Sequence, residues 1–171
     1  RNMADARLRY PDGNIPVTEH PNIRSVEACY KSSSKAVMLA KKYDSKLHVL
    51  HLTSQKELDL FSAGDPTKKN VTSEVCVHHL HFDDSFYESM GSKIVCNPAI
   101  KTSSDRSALM DAVRNGMIDV IATDHAPHTL EEKAKPYPNH PAGLPLIQHS
   151  LLALLDFYHK AELSLEVIVE K

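Results

Sequence analysis

Two imidazoles and one carboxylate set the chemistry this chain could perform. His51 closes the run KLHVLH, His78 closes VTSEVCVH, and Asp124 follows Val120-Ile121-Ala122 in the stretch IATDHAPHTLEEK. Nitrogen and carboxylate donors from three different strand ends are the ligand types of a catalytic zinc site. A metal held with open positions brings the pKa of bound water to about 7, and a neighbouring carboxylate can carry the released proton to a leaving group. Spacing alone leaves a second reading open, because a histidine at a strand end is more often a hydrogen-bonded structural residue than a ligand.

Such groups need strands to carry them. Apolar, β-branched runs predict four: Lys46–His51, Val71–His78, Lys93–Asn97 and Ile118–Thr123. Helical periodicity predicts Val26–Tyr43 with Ser25 as N-cap, a short Glu57–Ala63, Ser104–Asn115 ending at Gly116, Ile147–Tyr158, and Ser164–Lys171. The first 25 residues read as an irregular lead-in punctuated by Pro11-Asp12-Gly13 and Pro16, and a proline-rich loop follows Asp124. Strands alternating with helices imply an α/β fold with a parallel sheet. In that class functional groups gather at the C-terminal strand ends, where His51, His78, Asn97 and Asp124 fall. Strict alternation would put His51 on the face of Leu47 and Val49, His78 with Glu74 and Cys76, and Asp124 with Val120 and Ala122.

Bulk properties narrow the classes. A chain of 171 residues, 42% apolar and 25% charged with net charge −2, can bury one core and offers no basic stripe for nucleic acid or a membrane surface. No apolar run approaches a membrane span, and Arg1 opens no signal-peptide pattern. Cys29, Cys76 and Cys96 are scattered; the last two sit in apolar runs and read as reduced core residues of a cytosolic protein. The five glycines never cluster, so a dinucleotide-binding reading is weak, and no Gly-x-Ser-x-Gly or cysteine nucleophile pattern occurs. His20, His48, His140, His149 and His159 read as surface or packing residues. His79-Leu80-His81 imitates a metal pair but follows the strand end, and Glu131-Glu132-Lys133 reads as a solvated face. The missing initiator Met and the helix-like tail SLEVIVEK suggest part of a longer chain.

The segments LHVLHLTS, TSEVCVHHL, CNPAIKTSSDRSAL, IATDHAPHTLEEKAKPY and HPAGLPLIQHSLLALL, in that order, resemble the dihydroorotases of the amidohydrolase superfamily, from about Ile23 to Lys171. The resemblance implies strands five to eight of a (β/α)₈ barrel, residues 1–171 being the C-terminal half of that barrel. It also implies zinc, two ions in the full-length enzyme, and reversible conversion of dihydroorotate to N-carbamoyl-aspartate in pyrimidine synthesis. On that basis His51 and His78 bind the second metal, and Asp124 binds the first and serves as general base then acid. Asn97 and the main chain of Ala142 and Gly143 meet the substrate ring, and His128 meets its carboxylate. Family members usually carry Pro where this chain has Val77, and often Asn-Pro-Pro-Leu-Arg where it has Asn97-Pro98-Ala99-Ile100-Lys101, which keeps the cation but loses its bidentate geometry. The first-strand His-x-His-x-Arg and the bridging carboxylate of the fourth strand are missing, so this chain is expected to need its N-terminal half and to be inactive alone. A homodimer acting on a small molecule in the cytoplasm is the expected setting. The alternatives are a hydantoinase or allantoinase on the same scaffold, or a catalytically silent homologue serving as a structural partner.

Overall fold

The computed structural model describes residues 1–171. In chain order the elements are α1 (Asn2–Arg9), α2 (His20–Ile23), α3 (Val26–Lys42), β1 (Leu47–Val49), β2 (Val71–Cys76), α4 (Val77–His81), α5 (Phe86–Met90), α6 (Ser103–Arg114), β3 (Val120–Ala122), α7 (Leu130–Lys133), α8 (Ser150–His159) and α9 (Leu165–Glu170). Short 3₁₀ turns fill Val17–Glu19, Gln55–Leu60, Pro66–Lys68 and Gly91–Ile94. No helix is long and apolar enough to cross a membrane.

The sheet is parallel, in the order β1-β2-β3. The α/β expectation therefore holds, with three strands in place of four. Lys93–Asn97 is not a strand. Its first residues form the 3₁₀ turn, and β2 pairs directly with β3, which leaves no ladder position between them. The Val95 carbonyl is satisfied instead by the Gly143 amide at 2.9 Å and by Lys133 Nζ at 3.1 Å, so a loop and a side chain take the role of a neighbouring strand. Glu57–Ala63 is replaced by the 3₁₀ turn Gln55–Leu60. The first 25 residues are less irregular than expected: Asp5 in the first turn and Arg7 and Arg9 in the last complement the dipole of α1, which ends before the Pro11-Asp12-Gly13 turn.

Helix starts follow local chemistry. Ser25 Oγ accepts from Ala28 N and caps α3, and Ser164 caps α9 in the same way. Thr102 and Asp105 make a reciprocal capping box at α6, as do Thr129 and Glu132 at α7, a helix inside what the sequence suggested was plain loop.

The main core lies on one face of the sheet. Val75 packs with Val77 and Leu80 of α4, Leu109 and Val113 of α6, Phe157 of α8, and the loop residues Leu52 and Ile118. Each such side chain contributes on the order of 1.5–3 kcal/mol by leaving water. A second cluster, Tyr87, Ile94, Val95, Cys96, Ile100 and Leu144, sits under the segment that leads to Asn97. His20 ties the lead-in to this cluster. Its buried ring meets the Cys96 carbonyl at 2.8 Å through Nε2 and the Tyr137 hydroxyl at 3.1 Å through Nδ1. A neutral imidazole satisfies both: Nε2–H donates to the carbonyl and Nδ1 accepts from the hydroxyl.

Burial lowers the His20 pKa to about 4, against the bond to the Cys96 carbonyl, which raises it. The unfolded chain then takes up a proton near pH 6.5 that the folded chain refuses until about pH 4. The His20 contribution is complete above about pH 6.5 and shrinks as pH falls toward 4. Urea unfolding across this window should show a shallower loss of stability in His20→Asn than in the parent; equal slopes would remove His20 as a source of the acid sensitivity.

Candidate functional site

His51, His78 and Asp124 occupy equivalent places. β1 ends at Val49, β2 at Cys76 and β3 at Ala122, so each residue stands two positions beyond the last residue of its strand. Parallel pairing in register, Val49 with Ser73 and Cys76 with Ala122, carries all three strand ends to one edge of the sheet.

Register also fixes the faces. His48, Thr72, Glu74, Cys76, Val120 and Ala122 share one side; Val49, Ser73, Val75 and Ile121 share the other, which the helices cover. Alternation continued past β1 would send His51 to the covered side, away from Asp124. The backbone breaks the alternation there. His51 has φ +41° and Asp124 φ +44°, a left-handed conformation that non-glycine residues rarely adopt. The turn at His51 is held by Leu52 N donating to Glu74 O at 2.8 Å, and by a longer contact of His51 N with Glu74 Oε1 at 3.4 Å. Just beyond it, buried Glu57 accepts from Ser33 Oγ at 2.7 Å and Ser54 Oγ at 2.9 Å, and Thr53 Oγ1 donates to Ala99 O at 2.7 Å. The segment leaving β1 is pinned on both sides.

His78 is 1% exposed, and neither ring nitrogen has a hydrogen-bond partner. A buried polar group left unpaired costs roughly 1–3 kcal/mol, so a site of this kind calls for a ligand on the imidazole. Burial lowers its pKa to about 4, with the nearby His51 adding to the shift, so the ring is neutral and its lone pair available at physiological pH. His79 packs against it with ring centroids 4.2 Å apart; its Nε2 meets the Pro98 carbonyl at 3.0 Å while its Nδ1 is unpartnered. The donor atoms of Cys76, His78 and His79 lie within 4.8 Å of one another. The resemblance to a metal pair in His79-Leu80-His81 thus resolves differently: His79 groups with His78 and Cys76.

Burial pushes the thiol of Cys76 well up, and the charges of Asp124 and Glu74 push it further. Asp124 therefore sits within electrostatic reach of β2. Burial likewise raises Cys96 to about 12, so both cysteines are reduced thiols at neutral pH, not nucleophiles.

The substrate-side residues form a second group. His51 and Asn97 line one cavity of about 480 Å³, together with His48, Leu50 and Pro98 and residues of α3. His128 is half-buried, with Nε2 3.2 Å from the Ala142 carbonyl and Nδ1 3.7 Å from Glu132. Ala126 N donates to Leu144 O at 3.0 Å and Ile147 N to His125 Nδ1 at 3.1 Å, which joins the loop after Asp124 to the turn containing Ala142 and Gly143. Lys133 was read as part of a solvated face. It is buried at 7%, while Glu131 and Glu132 remain exposed, because the capping box sets the phase of α7 and turns its last residue inward. Of the residues read as surface or packing, His20 and His140 are buried and His48 pairs with Glu74 at 3.0 Å.

Comparison with known proteins adds to this geometry. No family model matches the chain. By sequence it is 36% identical over 124 residues to the dihydroorotase of Anaplasma phagocytophilum (strain HZ), covering 72% of this chain and 28% of that one. It is 34% identical over 147 residues to the dihydroorotase of Methanosphaera stadtmanae, covering 86% of this chain and 33% of that one. Among solved structures, the L-hydantoinase (dihydropyrimidinase) of Arthrobacter aurescens superposes with TM-score 0.88 at 22% identity, covering 98% of this chain and 38% of that one. The dihydropyrimidinase of Brevibacillus agri gives 0.84 at 23% identity, covering 96% and 38%. The fold is thus an α/β arrangement around a parallel sheet, matching part of the hydantoinase and dihydropyrimidinase chains. Within that class the sequence is dihydroorotase-like. The chain spans 28–33% of the length of these dihydroorotases.

Gly143 is where the two loops meet most closely. Its φ is +143°, and a Cβ there would lie 2.6 Å from both Cβ and O of Ala126 and 3.3 Å from His128 Cδ2. Gly143→Ala should destabilise the chain by about 1–3 kcal/mol and force Ala126 and Ala142 apart. An unchanged urea midpoint would show that this contact carries no constraint.

Proposed function

We propose that this chain is the C-terminal half of a metal-dependent (β/α)₈ barrel, and that the complete protein opens a cyclic amide, interconverting dihydroorotate and N-carbamoyl-aspartate. β1, β2 and β3 pair in chain order, so they stand for three consecutive strands of that barrel and not four, with Asn97 on the irregular segment between β2 and β3. The observation that carries the reading is the pair of left-handed residues, His51 and Asp124, flanking a buried imidazole without a partner on one sheet edge. Sequence likeness to dihydroorotases supports the choice of ring over hydantoin, since the likeness to hydantoinases concerns the fold alone.

The donors suit a divalent cation such as zinc: imidazole nitrogens from His51 and His78, and a carboxylate from Asp124. When bound, the metal would polarise the ring carbonyl and make a hydroxide-like nucleophile available near neutral pH. Asp124, exposed at the mouth of β3, accepts the proton of the attacking water at a carboxylate oxygen and returns it to the ring nitrogen as the C–N bond breaks. His128 and Asn97 orient the substrate carboxylate and ring. In the turn, Gly143 N is engaged by Val95 O and Gly143 O by Lys133, so the Ala142 amide is the main-chain donor left for the ring. Gly143 itself then serves to bring that amide close.

In the full-length protein supplied with zinc, dihydroorotate should be hydrolysed faster than hydantoin or allantoin; the reverse order would refute the assigned ring. Asp124→Asn should lower kcat by about 100-fold or more, with substrate binding little changed. Turnover retained within about tenfold would remove Asp124 from proton transfer. His128→Ala should raise KM about tenfold at similar kcat. An unaltered KM for the carboxylate-bearing ring would strike out that contact.

A further inference from the structure

Lys133 and Lys101 are buried lysines that face no carboxylate within salt-bridge distance, but Lys101 bonds one main-chain carbonyl and Lys133 stands apart in spending all three of its ammonium donors on main-chain carbonyls. Nζ lies 3.1 Å from Val95 O, 3.1 Å from Pro141 O and 3.1 Å from Gly143 O. Taking an ammonium out of water is costly, and three carbonyl dipoles offset that cost only while all three stay in place. The bond set is therefore directional, where an apolar side chain of the same length would merely fill space.

The identity of the acceptors matters. Pro141 and Gly143 flank Ala142, whose carbonyl holds His128 and whose amide is unengaged. Val95 stands two residues before Asn97, and its carbonyl also receives the Gly143 amide at 2.9 Å. The lysine itself closes α7, whose start is fixed by the Thr129–Glu132 capping box immediately after His128. One side-chain nitrogen thus joins α7 to the nearby Pro141–Gly143 turn and to Val95, 38 residues back in the chain. In the reading above they carry Asn97, His128 and the Ala142–Gly143 turn.

We propose that Lys133 is a positioning residue for substrate recognition: by tying Val95, Pro141 and Gly143 to one point, it sets the mutual distances of the groups that contact the ring and its carboxylate. It touches neither substrate nor the reacting atoms. His78 and Asp124 leave strands β2 and β3, which the main core holds, so Lys133 reaches Asp124 only indirectly, through the Ala126–Leu144 contact, while it holds the substrate-side turn directly. This inference rests on the proposed reaction and predicts which half of it fails. Substrate affinity should fall while the chemical step survives.

The test uses the full-length, zinc-supplied protein with dihydroorotate and with hydantoin, the split being read on whichever ring the parent turns over. Lys133→Met keeps length and removes the donors. KM should rise about tenfold or more, kcat should stay within about threefold, and bound zinc per protein should be unchanged. General destabilisation would instead lower the active fraction, seen as a fall in kcat at constant KM. That outcome, or a KM within twofold of the parent, overturns the proposal. If the Met variant does not accumulate folded, Lys133→Gln, which retains one side-chain amide donor group, is read by the same split. Absence of turnover of dihydroorotate by the parent, with turnover of hydantoin, would sink the assigned ring and leave the Lys133 result readable.

Discussion

The parallel ladder of β1, β2 and β3 is the constraint on which the rest depends. Because the strands run the same way and in register, whatever follows each of them emerges at one edge, and a difference of one residue in any strand would move its polar group to the opposite face. The common offset of two residues thus sets His51, His78 and Asp124 along one edge, while the donor atoms that lie within 4.8 Å of one another are those of Cys76, His78 and His79. The offset is incomplete without the backbone. Alternation would separate His51 from the others, and the left-handed turns at His51 and Asp124 are where the chain departs from it. Strained conformations of this kind persist only where the surroundings over-determine them. Here Glu74, Glu57 and Thr53 do so beside β1, and the joined loops around Ala126 and Leu144 do so beside β3.

Electrostatics and geometry point the same way at His78. The residue is held neutral by burial, kept from any protein acceptor or donor, and set against a second neutral imidazole and a protonated thiol. A structural histidine in such a place would be paired, as His20 is between Cys96 and Tyr137. The contrast between these two buried rings, one fully satisfied and one not at all, separates packing from a readiness to bind.

Much of this was legible in the sequence, for identifiable reasons. β-Branched runs closed by polar residues marked β1, β2 and β3, and Ser25 marked the start of α3. Lys93–Asn97 misled because an apolar run of strand length says nothing about where its hydrogen bonds go, and here they go to a loop and to Lys133. Lys133 was illegible for a related reason. Charge next to Glu131 and Glu132 reads as solvent-facing, and only the helix phase set by Thr129 and Glu132 turns it inward, although that Thr-x-x-Glu spacing stood in the sequence. The turn at His51 left no trace, since histidine enters the left-handed region more readily than most residues but still too rarely to mark a turn.

The uncovered face of the sheet bears on the barrel reading. Parallel sheets occur almost only with both faces covered. Here helices cover the face of Val75, while the opposite face presents His48, Thr72, Glu74 and the exposed side chains of Leu50 and Val120. A face meant for water would not place a leucine 55% exposed beside a histidine–glutamate pair at 3.0 Å. A face meant for a second layer of helices would be apolar throughout. Mixed polar and apolar side chains beneath the strand ends leave this face open to a further layer of chain. Closure by further strands would also pair the free edge of β1. The same closure would bring further side chains opposite His51, His78 and Asp124.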